Sequence, residues 1–184
     1  MKIGIHSMVW VGDWSEAAAR EAISKTAEAG YDLIELSAIA PETFDTKLTA
    51  SLLEEYGLEC SASLGLNAAT DISSEDPDAV RAGRERLHLA LNLVRDCGGM
   101  MLCGVIYGAL MKYSHPRTER GMENSRTVLA ELADKAAESG ISLGLEFCNR
   151  YETNLINTTA ETLAFIEQIN RPNVFAHLDT YHMN

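Results

Sequence analysis

The stretch AESGISLGLEF, residues 137–147, joins a helical pattern to a short apolar run through Gly140. A glycine at that point suits the left-handed conformation just past a helix end, and the run after it has the length and composition of a strand. The same arrangement occurs three more times, around Gly30, Gly57 and Gly99. Each copy is typical of a helix-to-strand junction, so the repeat predicts a chain in which helices and strands alternate.

Six strands with helices between them follow from this repeat. The predicted strands cover residues 2–8, 32–38, 59–65, 100–106, 141–148 and 173–179. Capping-box spacing marks two helix starts, at Asp13 with Glu16 and at Thr158 with Glu161. Strict alternation predicts a parallel sheet covered by helices, either an open doubly wound sheet or part of a closed barrel.

Side-chain parity along the strands favours the barrel. In the predicted fifth strand Leu143, Leu145 and Phe147 lie on one face and Glu146 on the other. The predicted sixth strand repeats this pattern, with Asp179 on its polar face. An aliphatic face opposite a small or polar face fits a barrel, because the helices of an open sheet would cover both faces. We therefore predict an α/β fold of the (β/α)8 TIM-barrel type, with about six β/α units in this chain.

Composition and charge exclude several classes of protein. The 184 residues are 46% hydrophobic, which suits one folded domain over residues 1–184. The net charge of -12 has the wrong sign for a nucleic-acid partner. No stretch approaches the roughly 20 apolar residues that span a bilayer, and no signal-peptide pattern opens the chain, so we expect no membrane partner and a cytoplasmic location. The four cysteines form no CxxC pair and are expected to be reduced and buried.

Glu146 and Asp179 are the two carboxylates that the barrel interpretation turns inward. Both fall near the carboxyl ends of neighbouring strands, where barrel enzymes place their active sites. Adjacent strands lie about 4.8 Å apart, so two charged carboxylates at one height would repel each other unless a cation lies between them. Oxygen ligands favour Mg²⁺ or Mn²⁺. The residue types leave one alternative open, in which each carboxylate pairs with an arginine or a backbone donor and no metal is needed.

Other polar and aromatic side chains are predicted at the same end of the strands. His182 follows Asp179 by three residues and could donate to a substrate oxygen or simply be solvated. Glu152 lies just beyond the fifth strand and could bind hydroxyl groups or form a surface ion pair. Inward groups on the first two strands and aromatic rings on the first loop could line a small polar ligand or plug the core: His6, Glu35, Trp10 and Trp14.

Two long motifs, LEFCNRYETNLINTTAETLAFI and HLDTYHMN, closely resemble the ketose 3-epimerases. These are the D-tagatose and D-psicose (allulose) 3-epimerases of the xylose-isomerase-like superfamily. The opening MKIGIHSMVW and the segment DISSEDPDAVRAG are also similar to that family, so the resemblance covers essentially the whole chain. It implies an eight-stranded barrel that holds Mn²⁺, Co²⁺ or Mg²⁺ with a Glu, an Asp, a His and a second Glu. By motif match the metal ligands are Glu146 and Asp179, and the substrate-binding residues are Glu152, His182, His6 and Trp14.

The resemblance also implies a reaction, the C3 epimerisation of a free ketohexose by metal-assisted proton transfer. The ion, Mn²⁺ in the first place, polarises the carbonyl and acidifies the C3 proton. Glu146 is then one of two glutamates, of which one removes that proton to give an enediolate and the other returns a proton to the opposite face. The implied partners are a small ketose and further copies of the chain in a homo-oligomer.

Two departures from the family pattern qualify this expectation. Ala109, Leu110 and Met111 stand where family members commonly carry a tryptophan, and His6 replaces a frequent aromatic residue, which leaves the sugar open. The family's later His and Glu ligands have no counterpart, since the HMN motif at Asn184 comes six strands into an eight-strand pattern. We therefore expect a fragment of a longer barrel, with open edges at its first and sixth strands and little or no epimerase activity alone.

Two alternatives stay open. One is another barrel enzyme of the same superfamily, such as a hydroxypyruvate isomerase, an inosose dehydratase or a sugar-phosphate isomerase. The other is a non-catalytic binding or assembly fragment. The sequence shows few basic residues at the strand ends, which a phosphate-binding enzyme would need.

Overall fold

The computed structural model describes residues 1–183, in which helices and strands alternate as predicted. The strands are β1 Gly4–His6, β2 Leu33–Ser37, β3 Glu59–Leu66, β4 Met101–Ala109, β5 Ser142–Glu146 and β6 Val174–His177. The α-helices are α1 Glu16–Glu28, α2 Thr46–Tyr56, α3 Pro77–Asp96, α4 Glu119–Ala137 and α5 Thr159–Ile169. The six strands of these described residues form one sheet in chain order, with parallel pairing of β1 with β2, β2 with β3, and β5 with β6. The predicted α/β architecture is confirmed.

Every predicted strand is present, and most are shorter than expected. β1 stops at His6, where the side chain of His6 accepts a hydrogen bond from Met8 N and opens a short 3₁₀ turn, Ser7–Val9. β6 stops at His177, so Asp179 lies on the loop beyond the strand. β1 and β6 are the outermost strands of the sheet order, and the Phe175 side chain on β6 is half exposed.

The two predicted helix starts have different outcomes. Thr158 is the N-cap of α5, and its side chain accepts from the backbone N–H of Glu161. The prediction for α1 is wrong by two residues, because Ser15 is the N-cap. Asp13 instead accepts the backbone N–H of Ser15, so its carboxylate stabilises the turn before the helix.

The junction glycines take the left-handed conformation that the repeat predicts. Gly30, Gly57 and Gly140 have φ between 66° and 80°. At the remaining junction the prediction of Gly99 is wrong, since Gly98 has the positive φ, 72°. Gly99 instead packs tightly, and a Cβ there would lie 3.0 Å from a cysteine sulfur.

The chain divides into two compact units, residues 1–63 with 89–102 and residues 64–88 with 103–184. In the first unit β1, β2 and β3 pair in register, so that His6 lies beside Glu35, and Glu35 beside Ser61. Alternate side chains of β2 and β3 are buried, as parity predicts. The second unit holds α4, β5, α5 and β6, and its core includes apolar side chains that are at most 4% exposed: Leu129, Leu132, Leu143, Leu145, Phe165 and Val174.

The four cysteines are free and buried, which confirms the expected reduced state. Burial raises the pKa of the Cys60 thiol to about 11 and that of the Cys97 thiol to about 12. These thiols therefore stay protonated at neutral pH and behave as core residues. None of the helices in residues 1–183 combines the length and the apolar composition needed to cross a lipid bilayer.

Gly104 on β4 lies in close contact with the backbone of Leu64 and has a positive φ. Its φ is 111°, and a Cβ at this position would lie 2.3 Å from the carbonyl oxygen of Leu64. We expect Gly104→Ala to lower the free energy of unfolding by about 2–4 kcal/mol, because backbone strain and overpacking add. Urea denaturation measures the change. Gly12→Ala is the control, since its added Cβ meets nothing within 4 Å, and equal losses in both variants would contradict the prediction.

Candidate functional site

The ends of β5 and β6 bring the two predicted carboxylates together. Glu146 is the last residue of β5 and pairs in register with His177 of β6, two residues before Asp179. Asp179 folds the loop back on itself, because its Oδ1 accepts from Tyr181 N and its carbonyl accepts from His182 N. One ligand atom each from Glu146, Asp179 and His182 lie within 4.8 Å of one another. The side chains that parity assigned to one face therefore converge.

His182 is the buried member of this group, with 9% of its surface exposed. Its Nε2 lies 3.7 Å from Glu146 Oε1 and 3.7 Å from Asp179 Oδ2. Both separations exceed hydrogen-bond length, and Nε2 lies between the two carboxylates. The other ring nitrogen, Nδ1, faces Asn149.

The donor set of this group fits a divalent cation. Two ligands of one Mg²⁺ or Mn²⁺ ion, each about 2.1 Å from it, lie at most about 4.2 Å apart. One carboxylate oxygen of Glu146 and one of Asp179 lie within 4.8 Å of each other, which is close to that limit. Carboxylate oxygens suit hard divalent ions, and the side chains of Glu146 and Asp179 are 17% and 35% exposed, which shields them partly from water. The structure thus contains a residue group that could hold a metal ion.

A second group of potential ligands, Cys148, Glu152 and His182, shares the histidine. Burial, together with the smaller effect of negative charges on nearby carboxylates, raises the pKa of the Cys148 thiol to about 12. A thiol that keeps its proton at neutral pH is a poor metal ligand, because the thiolate is the ligating form. The carboxylate group is the better candidate.

Glu152 lies in the loop after β5, held by a hydrogen bond within that loop. Its Oε1 accepts from Asn149 Nδ2 at 2.9 Å, and its backbone N–H is bound to the Asn149 carbonyl. The surface ion pair considered from the sequence is therefore not needed to explain its position. Its role in binding substrate stays a prediction.

His6 lies in the first unit, in a small polar cluster at the ends of β1, β2 and β3. Its Nδ1 accepts from Met8 N at 3.2 Å, and its Nε2 lies 3.8 Å from Glu35 Oε1 and 3.5 Å from Ser63 Oγ. The Ser63 hydroxyl donates to Glu35 at 2.6 Å. The cluster confirms that His6 and Glu35 share a face, and the substrate role of His6 stays a prediction.

Trp14, also in the first unit, is mostly a core residue. It is 8% exposed, its Nε1 donates to Thr49 Oγ1 at 3.0 Å, and its ring stacks on Phe44 with a centroid separation of 5.2 Å. Trp14 also lines a cavity of about 200 Å³ together with Ser7 and Met8. A ligand in that cavity could contact Trp14, but the buried ring already explains why a tryptophan is at this position.

Two residues of the site were missed by the sequence analysis. His177 Nδ1 lies 3.6 Å from Glu146 Oε2, and this buried atom has no hydrogen-bond partner among residues 1–183. His177 precedes Asp179 by two residues in HLD, so the alternation of side chains along a strand puts both on one face. This pattern could have predicted that His177 lies at the site. Asn149 contacts both Glu152 and His182, and the sequence carried no signal for that, because the contact to His182 joins residues 33 apart.

A cavity of about 420 Å³ elsewhere in the second unit contains none of the predicted site residues. Its buried carboxylate, Asp71, accepts hydrogen bonds from Ser73 Oγ, Tyr113 OH and Ala109 N. Those donors satisfy the charge, so this polar group stabilises the loops around the cavity. The carboxylates at the ends of β5 and β6 remain the candidate site.

Comparisons with known proteins bear on the family and the fold of the chain. The family model described as xylose isomerase-like TIM barrel matches residues 23–184. The chain is 52% identical to an L-ribulose 3-epimerase of Methylomonas sp. (strain DH-1) and 48% identical to a ketose 3-epimerase of Arthrobacter globiformis. Each alignment covers 100% of this chain and 64% of the relative, so the chain spans just under two thirds of the length of these relatives.

Solved structures give the same likeness in three dimensions. A D-allulose 3-epimerase from Methylomonas sp. in complex with D-allulose has a TM-score of 0.97 at 52% identity and is covered over 64% of its length. A D-psicose 3-epimerase crystallised in the presence of D-fructose has a TM-score of 0.89 at 30% identity, with 65% of its length covered. This chain belongs to the xylose isomerase-like TIM barrel family, and the relatives it resembles there are ketose 3-epimerases.

Proposed function

We propose that this chain carries the metal-binding and proton-transfer part of a ketose 3-epimerase. The observation that carries the proposal is the convergence of Glu146, Asp179 and His182 at the ends of β5 and β6, with ligand atoms within 4.8 Å of one another. The names of the relatives support it, since the proteins of 48% and 52% identity are ketose and L-ribulose 3-epimerases. The D-allulose complex of a relative supports a free ketose as the substrate class.

Each side chain at the site has a task that its chemistry suits. Glu146 and Asp179 would hold a divalent cation, Mn²⁺ in the first place and Co²⁺ or Mg²⁺ otherwise. That cation would supply Lewis-acid polarisation of the ketose carbonyl. Glu146 takes the proton from C3 as a general base, which a carboxylate does well once the C3–H bond is acidified.

Two neighbours orient the sugar. His182 donates a hydrogen bond to a sugar oxygen from Nε2, the nitrogen directed between the carboxylates. Glu152, whose second carboxylate oxygen is not used by Asn149, accepts from a sugar hydroxyl. By family resemblance, His6 and Trp14 of the first unit are also proposed as substrate-binding residues. Family resemblance assigns the return of the proton to a second glutamate, which no residue in 1–183 matches by motif.

Three broader predictions belong to this proposal. Residues 1–184 form the amino-terminal part of one barrel domain, the protein is cytoplasmic, and it assembles as a homo-oligomer. The similarity of the chain to full-length epimerases supports the first of these. The other two rest on the composition and on the family resemblance.

The proposal is tested by completing the barrel with residues from a relative. A chimaera joins residues 1–184 to the part of the Methylomonas L-ribulose 3-epimerase that this chain does not match. We expect the chimaera with Mn²⁺ to interconvert D-fructose and D-allulose, and we expect residues 1–184 alone to show little or no turnover. A chimaera that folds by circular dichroism and binds Mn²⁺ but epimerises no ketose would refute the proposal.

A further inference from the structure

Asn149 contacts both proposed substrate-binding residues and is not among the residues that the proposed function uses. Its side-chain Nδ2 lies 2.9 Å from Glu152 Oε1 and 3.0 Å from His182 Nδ1. Its backbone N–H also reaches His182 Nδ1, at 3.3 Å. We propose that Asn149 is a positioning residue, which fixes His182 in the tautomer with its hydrogen on Nε2 and holds Glu152 beside it.

The tautomer follows from the direction of these hydrogen bonds. A backbone N–H can only donate, so the Asn149 N–H requires Nδ1 of His182 to be the acceptor. A neutral imidazole whose Nδ1 accepts carries its hydrogen on Nε2. His182 therefore presents an N–H at Nε2, on the side of Glu146 and Asp179.

The orientation of the Asn149 amide is fixed independently. Tyr151 N donates to Asn149 Oδ1 at 2.9 Å, so the oxygen of the amide faces the turn and the NH₂ group faces His182 and Glu152. The two hydrogens of that NH₂ group match the two acceptors, Nδ1 and Glu152 Oε1. One amide thus sets the separation between a hydrogen-bond donor and a carboxylate.

This arrangement has a consequence for how His182 acts. With the hydrogen on Nε2, the ring has no free lone pair on the side of Glu146 and Asp179 and cannot be a metal ligand there. It is instead a donor for a ligand oxygen that reaches the space between the carboxylates. That the oxygen belongs to a ketose rests on the proposed function, whereas the tautomer rests on the contacts to Asn149 alone.

Nitrogen NMR of the histidine rings tests the inference on the 184-residue chain. The chain has five histidines, so a long-range ¹H–¹⁵N spectrum is simple, and the signals that disappear in His182→Gln assign His182. We expect Nδ1 of His182 to resonate as an unprotonated nitrogen and Nε2 as a protonated one. In Asn149→Ala the ratio of the two tautomers is expected to fall about tenfold, because the side-chain donor is lost.

A second variant and a matched control sharpen the result. Asn149→Asp keeps the acceptor for Tyr151 N but replaces the NH₂ group by an oxygen, which should draw the hydrogen to Nδ1. Asn154→Ala removes an amide from the same loop that contacts Tyr113 and His115, and it should leave the His182 signals unchanged. A parent spectrum with Nδ1 protonated, or parent-like His182 signals in both Asn149 variants, would overturn the inference.

Ketose binding is measured separately, so that the two proposals can fail separately. Adding D-fructose or D-allulose with Mn²⁺ to the chimaera should shift the His182 Nε2–H signal, and Asn149→Ala should raise the sugar's dissociation constant about tenfold. If neither sugar shifts the His182 Nε2–H signal, the result counts against the proposed function. The role of Asn149 is still decided without sugar, by the His182 tautomer of the parent chain and its loss in the Asn149 variants.

Discussion

Replacing Glu146 by Gln is expected to lower the epimerase turnover of the chimaera by about 10²–10⁴-fold. Gln has nearly the shape of Glu but cannot take a proton, so the step at C3 loses its base. The residue ends β5, with its side chain 17% exposed and 3.6 Å from His177, so the shape of the site should survive the change. Turnover is measured at saturating Mn²⁺ by chromatography of the two epimers, because the variant also loses a charge that would hold the metal.

Glu167→Gln is the matched control for this variant. Glu167 is an exposed residue of α5, and the same chemical change there should leave turnover within about twofold of the parent. If Glu146→Gln retained the turnover of the control, the C3 proton would have to leave by another group. The proposed role of Glu146 would then be wrong.

Replacing Asp179 by Asn is expected to weaken Mn²⁺ binding to the chimaera by at least about a hundredfold. Changing a residue that only supports a metal ligand already costs about 10–100-fold in affinity, and Asp179 is proposed as a ligand itself. The substitution keeps the Oδ1 acceptor that binds Tyr181 N, so the loop after β6 should keep its turn. Isothermal titration with Mn²⁺ gives the dissociation constant.

Asp78→Asn on α3 is the control for this second variant. Asp78 pairs with Arg81 on an exposed face, at 2.9 Å, and should not affect the metal. Equal Mn²⁺ affinity in the two variants would place the metal elsewhere. Retained affinity in Asp179→Asn with lost turnover would instead assign Asp179 to the sugar.

Local sequence signals predicted the fold well because each αβ junction carries its own conformational requirement. Gly30, Gly57 and Gly140 were identifiable since only a residue that tolerates positive φ ends those helices cleanly. The error at Gly98 and Gly99 has a tertiary cause. Adjacent glycines are equivalent in the sequence, and the packing of Gly99 against a cysteine decides between them.

Strand parity predicted the centre of the site, and it could not predict how the loops close. The pairing of β5 with β6 brings Glu146 and Asp179 together. The alternation of side chains along each strand predicted that both carboxylates lie on one face. The contacts of Asn149 depend on where the β5 loop meets the loop after β6, which no local pattern encodes. Trp14 was expected on a loop above the strands. Its buried hydrogen bond to Thr49 shows that the side chain packs mainly in the core.

The exchange of the C3 hydrogen with solvent tests the central claim most directly. The chimaera, loaded with Mn²⁺, is incubated with D-fructose in D₂O, and the C3 proton of both epimers is followed by NMR. Proton removal by Glu146 and return from the opposite face predict deuterium at C3 of the D-allulose formed, and none in Glu146→Gln. Formation of D-allulose that keeps its original C3 hydrogen would contradict the account.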